Sequence, residues 1–306
     1  MKKIILILTF FLSAFFLSFG QDTIRSLRIG EWGITLEEGV TYTIESNDNA
    51  LIINSTDTTL RTFSLPERLL FSSIGEDFEK GVVIDGVKWA TRNLAAHGQF
   101  VENPEDYGAL FQWGRIGDGH EQRTSPNYPT DDNSGENGAV SGAENFDAHG
   151  QVDSTHEAYG KFIKQLYPIG SCDWRIPKDA DLWNSGSAFL PEKTVNDPCP
   201  AGWRLPSRAE FQKLIQIGER TDEPAGFACT GDDGTSSLFF PATGSRRPFT
   251  GLIEDGITYG EGSYWSNAAD QGSGLGFLFS NTGSYTITGH QCQATGLSIR
   301  CVADIE

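Results

Sequence analysis

The sequence predicts an α+β fold, in which a helical part precedes a β-sheet. Two observations support this class. Residues 207–218 carry the signals of a capped helix, and short β-rich runs separated by glycine-rich turns follow beyond residue 230. A helix first and strands afterwards is the order expected of an α+β domain.

The N-terminus has the pattern of an export signal. Lys2 and Lys3 precede an apolar run over residues 4–19. The small residues Ser18 and Gly20 lie at the end of this run, where a signal peptidase would cleave. The run is short and wrongly flanked for a stable membrane span, so we expect residues 1–20 to be removed. An uncleaved anchor is the alternative. The mature protein is predicted to be secreted or held at the cell envelope or surface, with no transmembrane segment.

Residues 21–80 are predicted to form a small β-rich segment. Residues 39–45 alternate between polar and apolar positions like a half-buried strand, and residues 50–54 and 59–63 are further β-rich runs. A segment of roughly sixty residues is marginal on its own, so we expect it to dock on the main domain. The main domain is placed at residues 81–306.

Residues 117–150 are predicted to form a long polar loop. Glycine, aspartate, asparagine, serine and proline dominate there, and such a composition buries little core. Its oxygen-rich side chains make calcium an alternative, but the spacing of an EF-hand loop is missing. We predict no metal site and no cofactor, with calcium in this loop as the other possibility.

The helix at residues 207–218 begins with a capping box. Ser207 and Glu210 have the Ser-x-x-Glu spacing, and Phe211 and Leu214 recur on one helical face. Gly218 is placed to end the helix in a left-handed conformation. A Trp-Arg-apolar-Pro pattern precedes the helix and also occurs at residues 174–177, where Leu182 and Trp183 mark a second, similar helical start.

Six sequence blocks occur in the order of a known family, at residues 86–94, 110–115, 197–210, 239–244, 264–267 and 298–302. Together they resemble the Fibrobacter succinogenes major paralogous domain over roughly residues 81 to 306. The resemblance implies a C-type-lectin-like fold with short helices and a mostly antiparallel, twisted β-sheet. It also implies an exported bacterial surface protein, but no proven activity.

The five cysteines are predicted to form disulfides. An exported protein permits disulfides, and no Cys-x-x-Cys spacing indicates a zinc or iron–sulfur site. Cys199 has its candidate partner in Cys301, a pairing that would close the domain on itself. A second pair, Cys229 with Cys292, would leave Cys172 free.

Charge excludes two classes of partner. The chain has a formal net charge of −18, which repels nucleic-acid phosphates and anionic membranes. Cationic or neutral partners remain open, and solubility outside the cell is the simpler explanation of the charge.

Catalytic motifs are missing from the sequence. There is no nucleophile elbow, no phosphate-cradling loop and no dinucleotide fingerprint, and the five histidines show no zinc-hydrolase spacing. The acidic pairs at residues 179 and 181 and at residues 254 and 255 are interpreted as exposed carboxylates. We therefore predict no catalytic residues.

Ligand contact is predicted in the loops between the late strands, around residues 245–262 and 268–274. Connecting loops on a rigid scaffold often carry binding residues, and arginine and aromatic side chains are common anchors there. An aromatic face beside an amide also suits sugar binding, but core burial is the preferred interpretation of Trp265, because the family motif places it on a central strand. The candidates are Arg246, Arg247, Phe249, Glu261, Trp265 and Asn267.

These observations predict an exported, non-enzymatic binding or adhesion module that recognises carbohydrate or a surface protein. One alternative is a structural surface or assembly component without a ligand. The other is an oxidase similar to the formylglycine-generating enzymes, which use a cysteine pair, here Cys229 and Cys292. Fold alone does not decide among these functions.

Overall fold

The structure is a computed structural model. It describes the backbone of seven strands between residues 7 and 64, and then residues 79–130, 138–165, 172–187, 190–256, 260–270, 273–280 and 285–304. By its contacts the chain divides into two compact units, Met1–Phe78 and Glu79–Glu306.

The described strands of the first unit form two sheets. The larger has five strands, in the spatial order Ser13–Phe16, Ile7–Phe10, Tyr42–Asn47, Ala50–Ser55 and Arg61–Ser64. Its pairs are antiparallel apart from the second and third strands, which run parallel. A separate hairpin joins Ser26–Ile29 to Trp32–Thr35. The first two strands fall within the predicted export signal, whose cleavage stays a prediction.

The second unit is built around a sheet that joins its two ends in sequence. The order is Gln99–Phe100, Val87–Ala96, Arg300–Ala303 and Trp203–Arg204, with Val82–Ile84 also paired to the long strand. The strand at the end of the chain pairs antiparallel with the long strand, so that Arg300 lies opposite Asn93. Both ends of the unit are thereby held in one sheet.

Smaller sheets complete the second unit. A four-stranded sheet has the order Phe111–Gln112, Gly296–Leu297, Ser245–Arg246 and Ile253–Glu254. The two three-stranded sheets are Glu219–Asp222, Ala225–Thr230 and Ser237–Pro241, and Gly262–Asp270, Ser273–Phe279 and Tyr285–Gln291. The parallel pairs are Asn127–Tyr128 with Phe162–Ile163 and Val140–Ser141 with Arg175–Ile176.

The prediction of an α+β, C-type-lectin-like fold is wrong. The described residues hold one α-helix, Arg208–Ile217, and a 3₁₀ turn, Ala143–Asn145, among many short strands in several small sheets. The second expected helix does not form, because Leu182 and Trp183 are buried within irregular chain. These two apolar residues are buried in a core and do not form the apolar face of a helix. A pattern of so few residues does not distinguish a buried helix from other buried chain.

The helix starts as predicted and ends differently. Ser207 accepts a hydrogen bond from the backbone N–H of Glu210, whose carboxylate accepts one from the N–H of Ser207. Phe211 and Leu214 are buried. Gly218, however, has φ −85° and ψ 166°, which is extended rather than left-handed. The chain leads directly into a strand there, so no left-handed turn is required.

Two hydrophobic clusters form the core of the second unit. One contains Trp113, Trp174, Trp183 and Trp265, with Trp113 and Trp183 5.2 Å apart between ring centroids. The other surrounds Trp89 and includes the helix residues Phe211 and Leu214 and the aromatic side chains of the late strands. The tryptophans thus supply much of the buried apolar surface.

Two disulfides cross-link the second unit. Cys199 and Cys301 are joined, as predicted, but Cys292 is joined to Cys172 and Cys229 is a free, buried thiol. The predicted Cys229–Cys292 pair is therefore wrong. The reason is their location, since Cys229 belongs to the cluster around Trp89 whereas Cys292 packs against the other cluster.

The polar stretch at residues 117–150 contains more structure than a surface loop. Its described parts include a strand of each parallel pair and the 3₁₀ turn. His120, Glu121 and Ser125 are buried there. Polar composition did not prevent burial, because these side chains have hydrogen-bond partners inside the protein. No helix in the described part of the chain is long and apolar enough to cross a membrane.

Candidate functional site

A short hairpin carries most of the predicted ligand residues. The strands Ser245–Arg246 and Ile253–Glu254 pair antiparallel. The connecting turn is closed by hydrogen bonds from the N–H of Arg247 to the carbonyl of Leu252, and from the N–H of Gly251 to the carbonyl of Arg247, both 2.8 Å long. We call residues 245–254 the Arg246 hairpin.

Glycine is required at one position of this hairpin. Gly251 has φ +67°, a left-handed conformation that other residues adopt at a cost. A Cβ atom there would also lie 2.0 Å from the side-chain oxygen of Asn127. The turn therefore packs closely against the neighbouring strand and leaves no space for a side chain.

Arg246 anchors the hairpin from inside the protein. Its side chain is buried, and its Nε donates to the carbonyl of Gly251 at 2.9 Å. Its terminal nitrogens donate to the hydroxyl and carbonyl oxygens of Ser125 and to the side-chain oxygen of Asn127. The guanidinium also lies 4.2 Å from the ring centroid of Phe162. Burial lowers the pKa of Arg246 to about 10, which leaves it charged at neutral pH.

Three apolar side chains of the hairpin are exposed. Phe249 is 38%, Leu252 66% and Ile253 39% exposed. Arg247 forms an ion pair with Glu254 across the two strands. Exposed apolar side chains on a turn that hydrogen bonds hold in place are typical of surfaces that contact other proteins.

A polar and aromatic region adjoins the hairpin. The carbonyl of Pro248 accepts a 2.8 Å hydrogen bond from the N–H of Gln165, just after the strand Phe162–Ile163. On the paired strand, Tyr128 donates its hydroxyl to Glu157 at 2.7 Å, and Lys161 lies 5.9 Å from the Tyr128 ring centroid. The Pro248 carbonyl thus ties the hairpin to the chain that follows this strand pair.

The structure separates the six predicted ligand residues into two groups. Arg247 and Phe249 are exposed on the hairpin, and Glu261 is partly buried. Arg246, by contrast, serves as an internal anchor. Trp265 and Asn267 are buried, and the indole N–H of Trp265 donates to the carbonyl of Phe111 at 2.7 Å.

The structure buries Arg246, Trp265 and Asn267, which agrees with the core interpretation of Trp265, while ligand contact at any of the six residues stays a prediction. Trp265 lies on the strand Gly262–Asp270, and its ring belongs to the core cluster of Trp113. Sequence reasoning missed Leu252 and Ile253, although two adjacent aliphatic residues in a turn-rich stretch are a detectable signal of an exposed apolar turn.

Asp118, His120 and Glu121 form the one group in the described residues with ligand atoms close enough for a metal, all within 4.8 Å. These side chains already form hydrogen bonds with other groups of the protein. The Nδ1 of His120 is 2.7 Å from Asp118, its Nε2 accepts the N–H of Gln112 at 3.1 Å, and Arg115 donates to Asp118 at 2.5 Å. The arrangement fits a buried structural network.

The pKa directions in this network agree with that role. Burial lowers the pKa of His120, and the nearby Arg115 lowers it further, so the imidazole is neutral at pH 7. Burial alone would raise the pKa of Asp118, but the charge of Arg115 and the hydrogen bonds of His120 hold it well below its usual range. A charged carboxylate thus receives donors from both neighbours.

The two cysteines considered for oxidase chemistry do not form a reactive pair. Cys292 is disulfide-bonded to Cys172. Burial raises the pKa of the Cys229 thiol to about 12, so its nucleophilic thiolate form is scarce at neutral pH. The structure places the two in different core clusters.

No protein-family model, curated protein or solved structure matches the chain. The resemblance to the Fibrobacter succinogenes major paralogous domain therefore stays a prediction from its sequence blocks.

Proposed function

We propose that this protein is an extracellular binding module that contacts a partner protein through the Arg246 hairpin. The observation that carries the proposal is the combination of a buried anchor with exposed apolar side chains. Arg246 holds the turn by hydrogen bonds to Ser125, Asn127 and Gly251, while Phe249 and Leu252 are exposed. A turn held in advance loses less conformational entropy on binding.

The disulfides support an extracellular location. Two are present, which is compatible with an oxidising, extracellular environment. The export signal predicted at residues 1–20 belongs to this proposal and was inferred from sequence.

A protein partner suits the hairpin better than a carbohydrate. Leu252 and Ile253 are aliphatic and offer no planar face for a sugar ring, Phe249 is the one aromatic side chain of the hairpin, and the tryptophan considered for stacking, Trp265, is buried. Aliphatic and aromatic side chains beside an arginine are typical of protein interfaces. Arg247 and Glu254 at the edge would contribute orientation more than affinity.

Site-specific photo-crosslinking on intact cells tests the proposal. A photoreactive residue replaces exposed Thr250 in the hairpin or, as the control, exposed Thr235 elsewhere. We expect a protein adduct from position 250 alone, and its loss in the double variant Phe249→Ser, Leu252→Ser. The matched variant Leu190→Ser, Val195→Ser removes apolar side chains that are 76% and 65% exposed, and it should keep the adduct.

Three results would contradict the proposal. Equal crosslinking from both positions would indicate non-specific contact, and an unchanged adduct in the hairpin variant would move the site elsewhere. Binding to a glycan array that depends on the hairpin would identify carbohydrate as the ligand instead. Each protein is first shown to be folded by its unfolding transition.

A further inference from the structure

The two disulfides lie in different surroundings. Cys199 and Cys301 are 3% and 0% exposed. Cys172 and Cys292 are both only partly buried. Thiol–disulfide exchange requires an incoming thiolate to reach a sulfur atom, so access favours reaction at the second bond.

The backbone at Cys172 also favours opening of that bond. Cys172 has φ +58°, one of two non-glycine residues with positive φ in the described part of the chain. This left-handed conformation is unfavourable for a residue with a Cβ atom, so surrounding interactions must hold it. Those shown are the disulfide itself, a 3.3 Å hydrogen bond from the N–H of Ala294 to the Cys172 carbonyl, and a 2.9 Å contact between the Sγ of Cys292 and the same carbonyl.

The bond joins two segments that pack on the same residue. After Cys172, the indole N–H of Trp174 donates to the carbonyl of Trp113 at 2.7 Å. After Cys292, the carbonyl of Gln293 accepts the N–H of Trp113 at 2.9 Å. Without the disulfide, these contacts and the hydrogen bond from Ala294 to Cys172 remain between the two segments, and Cys172 loses the covalent bond that helps to hold its left-handed conformation.

We propose that Cys172–Cys292 is a redox-responsive bond that external thiols open reversibly, loosening the segment at residues 172–175, while Cys199–Cys301 stays closed. The thiolate of an external thiol attacks one sulfur and forms a mixed disulfide, and the other cysteine leaves as a thiolate that takes up a proton. A second thiol attacks the mixed disulfide. Two protein thiols and one oxidised disulfide of the reductant result.

Timed reduction of the full-length protein tests the selectivity. Dithiothreitol is applied without denaturant, free thiols are alkylated, and the labelled cysteines are identified by peptide mass. We expect Cys172 and Cys292 to be labelled about tenfold faster than Cys199 and Cys301. Buried Cys229 reports global unfolding and should stay unlabelled. Equal rates, or faster labelling of Cys199 and Cys301, would overturn the proposal.

Hydrogen exchange tests the loosening. We compare oxidised protein, selectively reduced and alkylated protein, and the double variant Cys172→Ser, Cys292→Ser. Peptides over residues 173–175 and 293–295 should exchange several-fold faster without the bond, while the helix Arg208–Ile217 is unchanged. Unchanged exchange, or faster exchange throughout, would contradict a local switch. Selectively reduced protein gives the same comparison if the variant does not fold.

Discussion

Arg246 donates hydrogen bonds to both the hydroxyl and the carbonyl oxygen of Ser125, at 2.6 and 2.7 Å, although the two residues are 121 positions apart in sequence. This contact holds the hairpin against the strand Asn127–Tyr128 and the residues before it. The buried cation has neutral oxygen acceptors and the ring of Phe162 as partners. The position of the hairpin therefore depends on Ser125, which lies far from residues 245–254 in the sequence.

Replacing each of two neighbouring arginines by methionine should have very different effects. Arg246→Met removes a buried guanidinium and leaves several oxygens without donors, so we expect a loss of about 3 kcal/mol in the free energy of unfolding. Arg247→Met removes an exposed ion pair with Glu254, and should cost less than about 1 kcal/mol. Urea denaturation of both variants measures the difference. Equal losses would show that Arg246 is not the anchor.

Asp173 should make stability fall as the pH rises. Burial raises its pKa to about 7, with the N–H of Arg175 and the charge of Lys178 opposing the rise in part. The folded state therefore keeps a proton that the unfolded state releases near pH 4. This contribution is fully present below about pH 4 and is lost as the pH rises through about 7.

The variant Asp173→Asn isolates this effect. An amide still accepts the N–H of Arg175 but carries no proton that titrates in this range. Relative to the wild type, the variant should gain roughly 2 kcal/mol between pH 5 and pH 8, because one pKa unit corresponds to about 1.4 kcal/mol. Denaturation at both pH values measures the gain. A pH-independent difference would mean that Asp173 titrates normally.

Removing the buried disulfide should destabilise the second unit strongly. The double variant Cys199→Ala, Cys301→Ala opens a loop with a sequence separation of 102, for which chain entropy predicts a loss of about 5 kcal/mol. The variant Cys229→Ala, also at a buried cysteine, is the control for lost packing and keeps both disulfides. Thermal unfolding compares the two, and a similar loss in each would argue against a role for the bond.

The capping box should stabilise the helix measurably. Ser207→Ala removes the acceptor for the N–H of Glu210, and the expected loss is about 1 kcal/mol. Gln212→Ala, at an exposed position of the same helix, should change stability by less than about 0.5 kcal/mol. If both variants unfold at the same urea concentration, the cap contributes nothing to the native state.

Local features were predictable because the interacting residues are close in sequence. Ser207 and Glu210 are three residues apart, and their side chains form the capping box that their spacing predicted. The buried face of Phe211 and Leu214 follows from helical spacing alone. By contrast, a similar apolar pattern at Leu182 and Trp183 produced no helix, because there the spacing arises from packing in the core.

The sequence by itself determined the capped helix, the β-rich character of the late chain and the chemistry of each candidate side chain. Only the tertiary structure decided which cysteine pairs with Cys292 and which arginine is exposed. Arg246 and Arg247 are identical and adjacent, but Arg246 ends a strand with its side chain buried and donates to Ser125, whereas Arg247 follows the strand and is exposed. One arginine is therefore buried as an anchor, and the other remains at the surface, because contacts between distant parts of the chain determine which side faces the core.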